Sequence, residues 1–308
     1  MSISPRVTES SVRTRTMSSL QRNLSRTQTA QDQISSGKQL HRPSDSPTGT
    51  VTALQLRGEV RANKKYSANA DDAMGRLGTV QDTLKSVYEQ VQRVRSLTLE
   101  AASMGGGSTP QANVARADEI DQIKGLVVQF ANTKYLNRPV FGGSTPDEVA
   151  YHTGGSFSGE VEGETMRTIG PNARVRVDVR GPEVFGEELQ SDGATPNEQQ
   201  LFRVLDSLST AMRTGDADGI QTGLANLDKA TETLNSTLSD VGARYNRVTQ
   251  MKQSAEDRLM SVSSQLSDIE DVDLPKAIME LQLQQTSYQA ALAATAKVIQ
   301  PSLIDFLR

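Results

Sequence analysis

One spacing rule holds without interruption from residue 66 to residue 101. Tyr66, Ala70, Ala73, Leu77, Val80, Leu84, Val87, Val91, Val94, Thr98 and Ala101 follow one another at alternating steps of four and three. That spacing sets them on one side of an α-helix and calls for a neighbouring helix along its whole length. A helical pattern longer than about 25 residues points to a coiled coil or a repeat rather than an ordinary globular helix. The pattern covers 51–103, and at ~1.5 Å per residue it would run on the order of 80 Å.

A second ladder closes the sequence: Leu274, Ile278, Leu281, Gln285, Tyr288, Leu292, Thr295, Ile299, Leu303 and Phe306. Order normally fades near a chain end, so an apolar stripe there needs a partner from the other end of the chain or from another molecule. The other end offers one. Met17, Leu20, Leu24, Thr27, Gln31 and Ile34 keep the same spacing in a predicted helix over 10–35 that ends at Ser35-Ser36-Gly37. Ala290-Ala291 and Ala293-Ala294 give the last helix a second, small-residue face, which suggests lateral packing among several copies. Pro301 removes one ladder bond and predicts a kink or break near 297–301.

Between these helices the pattern changes twice. Residues 38–50, with Pro43, Pro47 and a Ser/Asp cluster, read as a loop offering caps to the next helix. Gly105-Gly106-Gly107 breaks the long helix and Pro110 restarts it, giving an αα-hairpin whose shorter arm carries Ile120, Ile123, Val127 and Phe130. Residues 150–185 are punctuated by glycine, and Arg174 to Arg180 alternates as a half-buried strand does. Thr195-Pro196-Asn197-Glu198 is a helix start signal. A second long helix follows from Ile220 to Leu266, and Pro275 falls in the first turn of the last one.

The expected fold is mainly α: an elongated antiparallel long-helix bundle, both termini at one end as a coiled coil, and a small β-rich insert at the other end. The expected divisions are terminal assembly helices at 1–45 and 270–308, a helical rod at 46–140 and 195–269, and a β-rich outer domain at 141–194. Composition agrees with a thin molecule, since aromatic residues make up 4% of the chain and tryptophan is absent.

The net charge of −4 gives no strong overall pull on nucleic acid or membrane. Residues 1–65 carry 11 Lys/Arg against 4 Asp/Glu, but the basic residues are scattered singly and no aromatic precedes Tyr66, so a base-stacking platform is missing. Residues 142–200 reverse the balance, with 4 Lys/Arg and 11 Asp/Glu. No apolar run of 18 residues exists to span a membrane, and the first 30 residues lack the apolar core of a secretory signal. Export would therefore need a dedicated machine.

Catalytic material is scarce. The chain has two histidines, His41 and His152, and no cysteine, so disulfides, thiolate metal sites and nucleophile–base pairs have little to draw on. Gly155-Ser156-Phe157-Ser158-Gly159 centres on Phe157 and is not a nucleophile elbow. The acidic stretch from Asp268 to Asp273 lacks the glycine and glutamate positions of a calcium loop and reads as a solvated connector with a helix cap at Asp273. Asn23-Leu24-Ser25 and Asn235-Ser236-Thr237 fit the glycosylation pattern, but both fall in predicted helices. No enzyme, cofactor or metal is expected.

Several segments carry a resemblance. Ile34-Ser35-Ser36-Gly37-Lys38 followed by Arg42-Pro43-Ser44-Asp45-Ser46-Pro47 resembles the stretch after the first helix of bacterial flagellin-like proteins, in the form typical of their hook–filament junction branch. Tyr135 to Gly143 resembles the family's exit from its helical half. Gln284 to Leu292 and Ser302 to Leu307 resemble the junction branch's C-terminus. His41 departs from the pattern, which has Asn there.

The resemblance implies a secreted, self-assembling structural subunit of the bacterial flagellum, exported by the flagellar type III apparatus. It would form a homo-oligomeric ring between the first junction protein, on the hook, and the flagellin filament, with an export chaperone on the C-terminal helix. The assembly residues it suggests are Met17, Leu20, Leu24, Ile34, Leu274, Ile278, Leu281, Tyr288, Leu292, Thr295, Ile299, Leu303 and Phe306. Two alternatives are a minor flagellin, separated by copy number, and a needle-tip or translocator protein of an injection system, which would predict a membrane-inserting stretch.

Overall fold

The computed structural model describes residues 9–103, 109–145, 149–160, 163–190 and 195–299. Side chains are described from 14 to 296 within the terminal helices. Gly105-Gly106-Gly107, the Pro301 kink, Leu303, Phe306 and the side chain of Ile299 lie outside the described residues.

The element order is α1 (Glu9–Ser36), α2 (Pro47–Ser103), α3 (Pro110–Ala131), β1 (Lys134–Tyr135), β2 (Arg138–Pro139), β3 (Met166–Gly170), β4 (Ala173–Arg176), α4 (Gly181–Phe185), α5 (Leu201–Thr214), α6 (Ala217–Glu270) and α7 (Leu274–Ile299). The fold is mainly α with a small β insert, as the periodicity predicts. It divides into two compact units, Met1–Arg61 with Leu259–Arg308, and Ala62–Arg258.

The second unit holds the main core. Every rung from Ala70 to Ala101 is buried, and only Tyr66 at the head of the ladder is partly exposed. Ser67 hydrogen-bonds Glu256, Lys252 pairs with Asp71, and Arg95 pairs with Asp228. Residue numbers rise along α2 as they fall along α6, which is an antiparallel register. Thr109 caps α3 by accepting a hydrogen bond from the Ala112 amide at 3.3 Å, with Pro110 in the first turn. α3 then packs on α5, where Arg213 donates to both Asp118 and Asp121.

The β insert shares this core rather than building its own. Phe141, Tyr151, Phe157, Phe185 and Phe202 form one aromatic cluster, with ring centroids 5.1–5.5 Å apart. Two antiparallel hairpins, β1–β2 and β3–β4, frame it. Leu136 and Asn137, with φ of 48° and 65°, make the two-residue turn of the first.

Two expected boundaries move. The alternation from Arg174 to Arg180 becomes a strand only to Arg176, because Val177, Asp178 and Val179 are all buried. Asp178 turns inward to accept from the Thr165 amide and the Arg176 guanidinium. The start signal at 195–198 does not start a helix. The Gln190 amide donates to the Thr195 carbonyl and the Asn197 amide to Glu188, so those residues pair with the insert and α5 begins at Leu201.

Candidate assembly interface

The first unit is built where the two ends of the chain meet. Gly37, at φ 71°, ends α1 in the left-handed conformation that glycine accepts most easily. The next residues pair with the end of α6: the Gln39 amide donates to the Glu270 carbonyl at 2.7 Å and the Val272 amide to the Gly37 carbonyl at 3.0 Å. The Gln39 side chain donates to the Ile269 carbonyl at 2.8 Å. Asp45 folds the Arg-Pro-Ser-Asp turn by accepting from the amides of His41 and Arg42, at 3.1 and 2.8 Å. Ser46 accepts from the Gly49 amide in the first turn of α2, and Asp273 from the Lys276 amide in the first turn of α7.

Glu270 is the charged centre of this joint. Its side chain is 4% exposed, 2.6 Å from Arg57 Nε and 3.4 Å from Lys38 Nζ. Lys38 also reaches Asp271 at 2.6 Å, and Ser267 donates to Asp271. Arg57 and then Lys38 hold the Glu270 carboxyl below the usual carboxylate range against the cost of its burial, and Asp271 raises the pKa of Lys38. The acidic stretch is therefore tied down at its centre, not left as a solvated connector.

Beyond the joint α1 and α7 pack on each other along rows of side chains. Three parallel rows run along each helix. On α1 the inner row is Thr16, Asn23 and Ala30, the middle row Leu20, Thr27 and Ile34, and the outer row Met17, Leu24 and Gln31. Inner and middle residues are buried or half-buried, while the outer row is exposed. α7 repeats the arrangement, with Ala277, Gln284 and Ala291 inside, Leu281, Tyr288 and Thr295 in the middle, and Ile278, Gln285 and Leu292 outside and exposed. Leu274, at the head of the middle row, is also exposed.

Of the residues singled out from sequence, Leu20, Ile34, Leu281, Tyr288 and Thr295 thus lie in the α1–α7 seam. Met17, Leu24, Leu274, Ile278 and Leu292 face outward. The inner rows escaped the sequence reading because half of their members are polar and the rest are alanine. The inner rows are alanine and polar side chains, the middle rows add Leu20, Ile34, Leu281 and Tyr288, and Met17, Leu24, Ile278 and Leu292 stay exposed beside them.

The far side of α7 is bare as well. Met279, Leu283, Thr286, Ala290 and Ala293 continue the same spacing opposite the seam, all exposed, with Met279 at 64% and Leu283 at 65%. No charged residue occurs from Leu281 to Ala296. A helix destined for water usually carries charge on its outer face, and contiguous exposed apolar surface marks an interaction site. None of the described helices is long and apolar enough to cross a membrane. No group of three or more metal-ligating side chains occurs among the described residues.

Known proteins share both helical ends of this chain. The bacterial flagellin N-terminal helical region matches residues 7–144, and the bacterial flagellin C-terminal helical region matches residues 224–307. Flagellar hook-associated protein 3 of Escherichia coli K12 is 25% identical over 279 residues, 85% of this chain and 87% of that protein. A flagellin of Bacillus subtilis is 24% identical over 293 residues, 92% of this chain and 93% of that protein. The structure of a putative flagellar hook-associated protein from Vibrio parahaemolyticus superposes with a TM-score of 0.63 at 17% identity, covering 74% of this chain and all of that one. With both helical regions matched in order over well over half of its length, the chain belongs to the bacterial flagellin family of flagellar structural proteins.

Proposed function

We propose that this chain is a structural subunit of the junction between flagellar hook and filament, assembling through its paired terminal helices. The observation that carries the reading is the row of large apolar side chains, Met17, Leu24, Ile278 and Leu292, left exposed beside the α1–α7 seam. The occupant of those faces is another copy of the chain. Identical partners present identical charges, so a face charged with one sign repels itself, whereas the uncharged stretch 281–296 does not. Burying the outer rows and the far face of α7 in a ring of copies removes apolar surface from water, which supplies the driving force.

In this reading the ring contacts the first junction protein on the hook side and flagellin on the filament side. An export chaperone covers α7 before secretion, and the protein acts outside the cell. The Arg42-Pro43-Ser44-Asp45 turn and the short insert favour the junction over a minor flagellin, although a flagellin relative matches almost as well.

Immunogold labelling of intact flagella separates the two. The junction reading expects one band where hook meets filament, and purified protein added to hooks that lack it should restore filament growth. Label spread along the filament would overturn it.

A further inference from the structure

We infer that Arg76 of α2 and Asp178 of the insert hold one buried water between them, and that this hydrated pair locks the insert to both long helices. The residues concerned lie wholly within the second unit, so the inference does not depend on how the chain ends pair or assemble.

Asp178 lies two residues beyond β4 and is fully buried. Its Oδ1 accepts from the Thr165 amide at 2.9 Å and from Arg176 Nε at 3.3 Å, which ties the two flanks of the β3–β4 hairpin together. Its carbonyl accepts from Arg244 on α6 at 3.3 Å. Its Oδ2 is buried and accepts from no group of the protein. The same hairpin is held by α2, where Asn69 donates to the Thr168 carbonyl at 2.7 Å and Asp72 accepts from Arg167 Nε at 2.7 Å. Arg76 follows one turn further along that helix face. It is 9% exposed, and its Nε and Nη2 are buried without an acceptor. Burial pushes the Arg76 guanidinium below its ordinary pKa. Asp178 is the strongest charge opposing that push, ahead of Asp72, while Arg167 and Arg138 add to it.

Two donors and one acceptor are therefore buried, unpartnered and drawn together by opposite charge. They ask for a ligand that accepts twice and donates once. Buried polar atoms are nearly always partnered, and an internal water typically makes about three hydrogen bonds to such groups. Chloride accepts from Arg76 but is repelled by Asp178 and has no proton to give it. A metal cation is repelled by Arg76. Water meets both sides at once. With it in place, Asp178 is bonded to α6 through its carbonyl and to α2 through its carboxylate, so one residue of the insert grips both long helices.

Nuclear magnetic resonance of the full-length protein, isotope-labelled in its arginine side chains, tests the water. The Arg76 Nε–H signal is assigned by its loss in Arg76→Lys. It should show a nuclear Overhauser cross-peak to water with the sign of a long-lived bound molecule, and exchange about tenfold more slowly than that of exposed Arg174. A slow Nε–H without the cross-peak, which means a direct ion pair, would overturn the water. So would a signal that moves with chloride concentration, which means a bound anion, or one that exchanges as fast as Arg174.

The lock is read separately. The chain has no cysteine, so spin labels at Asn172→Cys in the β3–β4 turn and Asn246→Cys on α6, both exposed, report where the insert sits. A second pair at Gln122→Cys on α3 and Ser207→Cys on α5 serves as reference. Arg76→Met and Asp178→Asn should each broaden the insert distances about twofold, and the double variant should add less than the two effects together, since both act on one contact. Arg76→Lys, which keeps the charge and one donor, should broaden them less than Arg76→Met. Arg93→Met, which removes the exposed partner of Glu119, should leave both pairs as they were. Parent-like insert distances in both Arg76→Met and Asp178→Asn would overturn the lock. So would equal broadening of the α3–α5 pair, which would make the two residues general stabilisers.

Discussion

Leu292 gives the sharpest test of the assembly surface, because the molecule alone and the assembly make opposite demands on it. In the single chain its side chain is 44% exposed on the outer row of α7. A buried leucine is worth about 1.5–3 kcal/mol, so packing the exposed fraction against a neighbour contributes about 1 kcal/mol per copy. Leu292→Ala should therefore raise the concentration needed for assembly about fivefold, since each 1.4 kcal/mol is a factor of ten. Leu292→Asp puts an unpaired charge into the same contact, at a further cost of about 3 kcal/mol or more, and should raise that concentration by roughly a hundredfold beyond alanine. In the single chain a change at an exposed position moves stability within about 0.5 kcal/mol. The assay is sedimentation of assembled material across a concentration series, beside thermal melts of dilute protein. Leu281→Asp is the companion, and being half-buried in the seam it should lower monomer stability as well as block assembly. If Leu292→Asp assembles at the parent concentration, or if it melts several degrees lower while Leu281→Asp does not, the assignment of outer and middle rows is wrong.

Other outcomes follow from particular residues. Gly155 sits at φ 87° with Phe202 2.6 Å from where a Cβ would stand, so Gly155→Ala should cost well over 1 kcal/mol, read as a lower melting temperature. Gly125 lies inside α3 with open space around it, and Gly125→Ala should stabilise by about 0.5–1 kcal/mol in the same assay. The joint should also open in acid. The pKa values of Glu270 and Asp271 are lowered by Arg57 and Lys38, so their contribution is complete above the ordinary carboxylate values of 4.5 and 3.8. It is lost as pH falls below them through the depressed folded values, and the distances between spin labels on α1 and α7 should broaden there while remaining constant from pH 6 to 8.

The long elements were legible in the residues and their register was only half so. A four-three ladder fixes a helix and one row of its contacts, here Leu20–Thr27–Ile34 and Leu281–Tyr288–Thr295. The second row of a seam can lie on either side of that one. Choosing the more apolar side selects Met17 and Leu24, or Ile278 and Leu292, which is correct for a core and reverses when large residues are kept for another molecule. In α2, where the partner is in the same chain, the same choice gives the buried row. The joint was not legible at all. Nothing near Glu270 announces Lys38 or Arg57, and a run of acidic residues looks alike whether it is solvated or pinned. Thr195 and Asn197 read as a helix start because capping residues and edge-pairing residues are the same types.

Tyr288 stands in the α1–α7 seam, and it is the first unit's one tyrosine in a chain that has no tryptophan. The remaining five tyrosines, from Tyr66 to Tyr245, belong to the second unit. Subtracting the ultraviolet emission of Tyr288→Phe from that of the parent leaves a signal from the paired ends only. The molecule thus has an unlabelled optical gauge of whether its two termini are together, usable at the dilutions where copies are still apart.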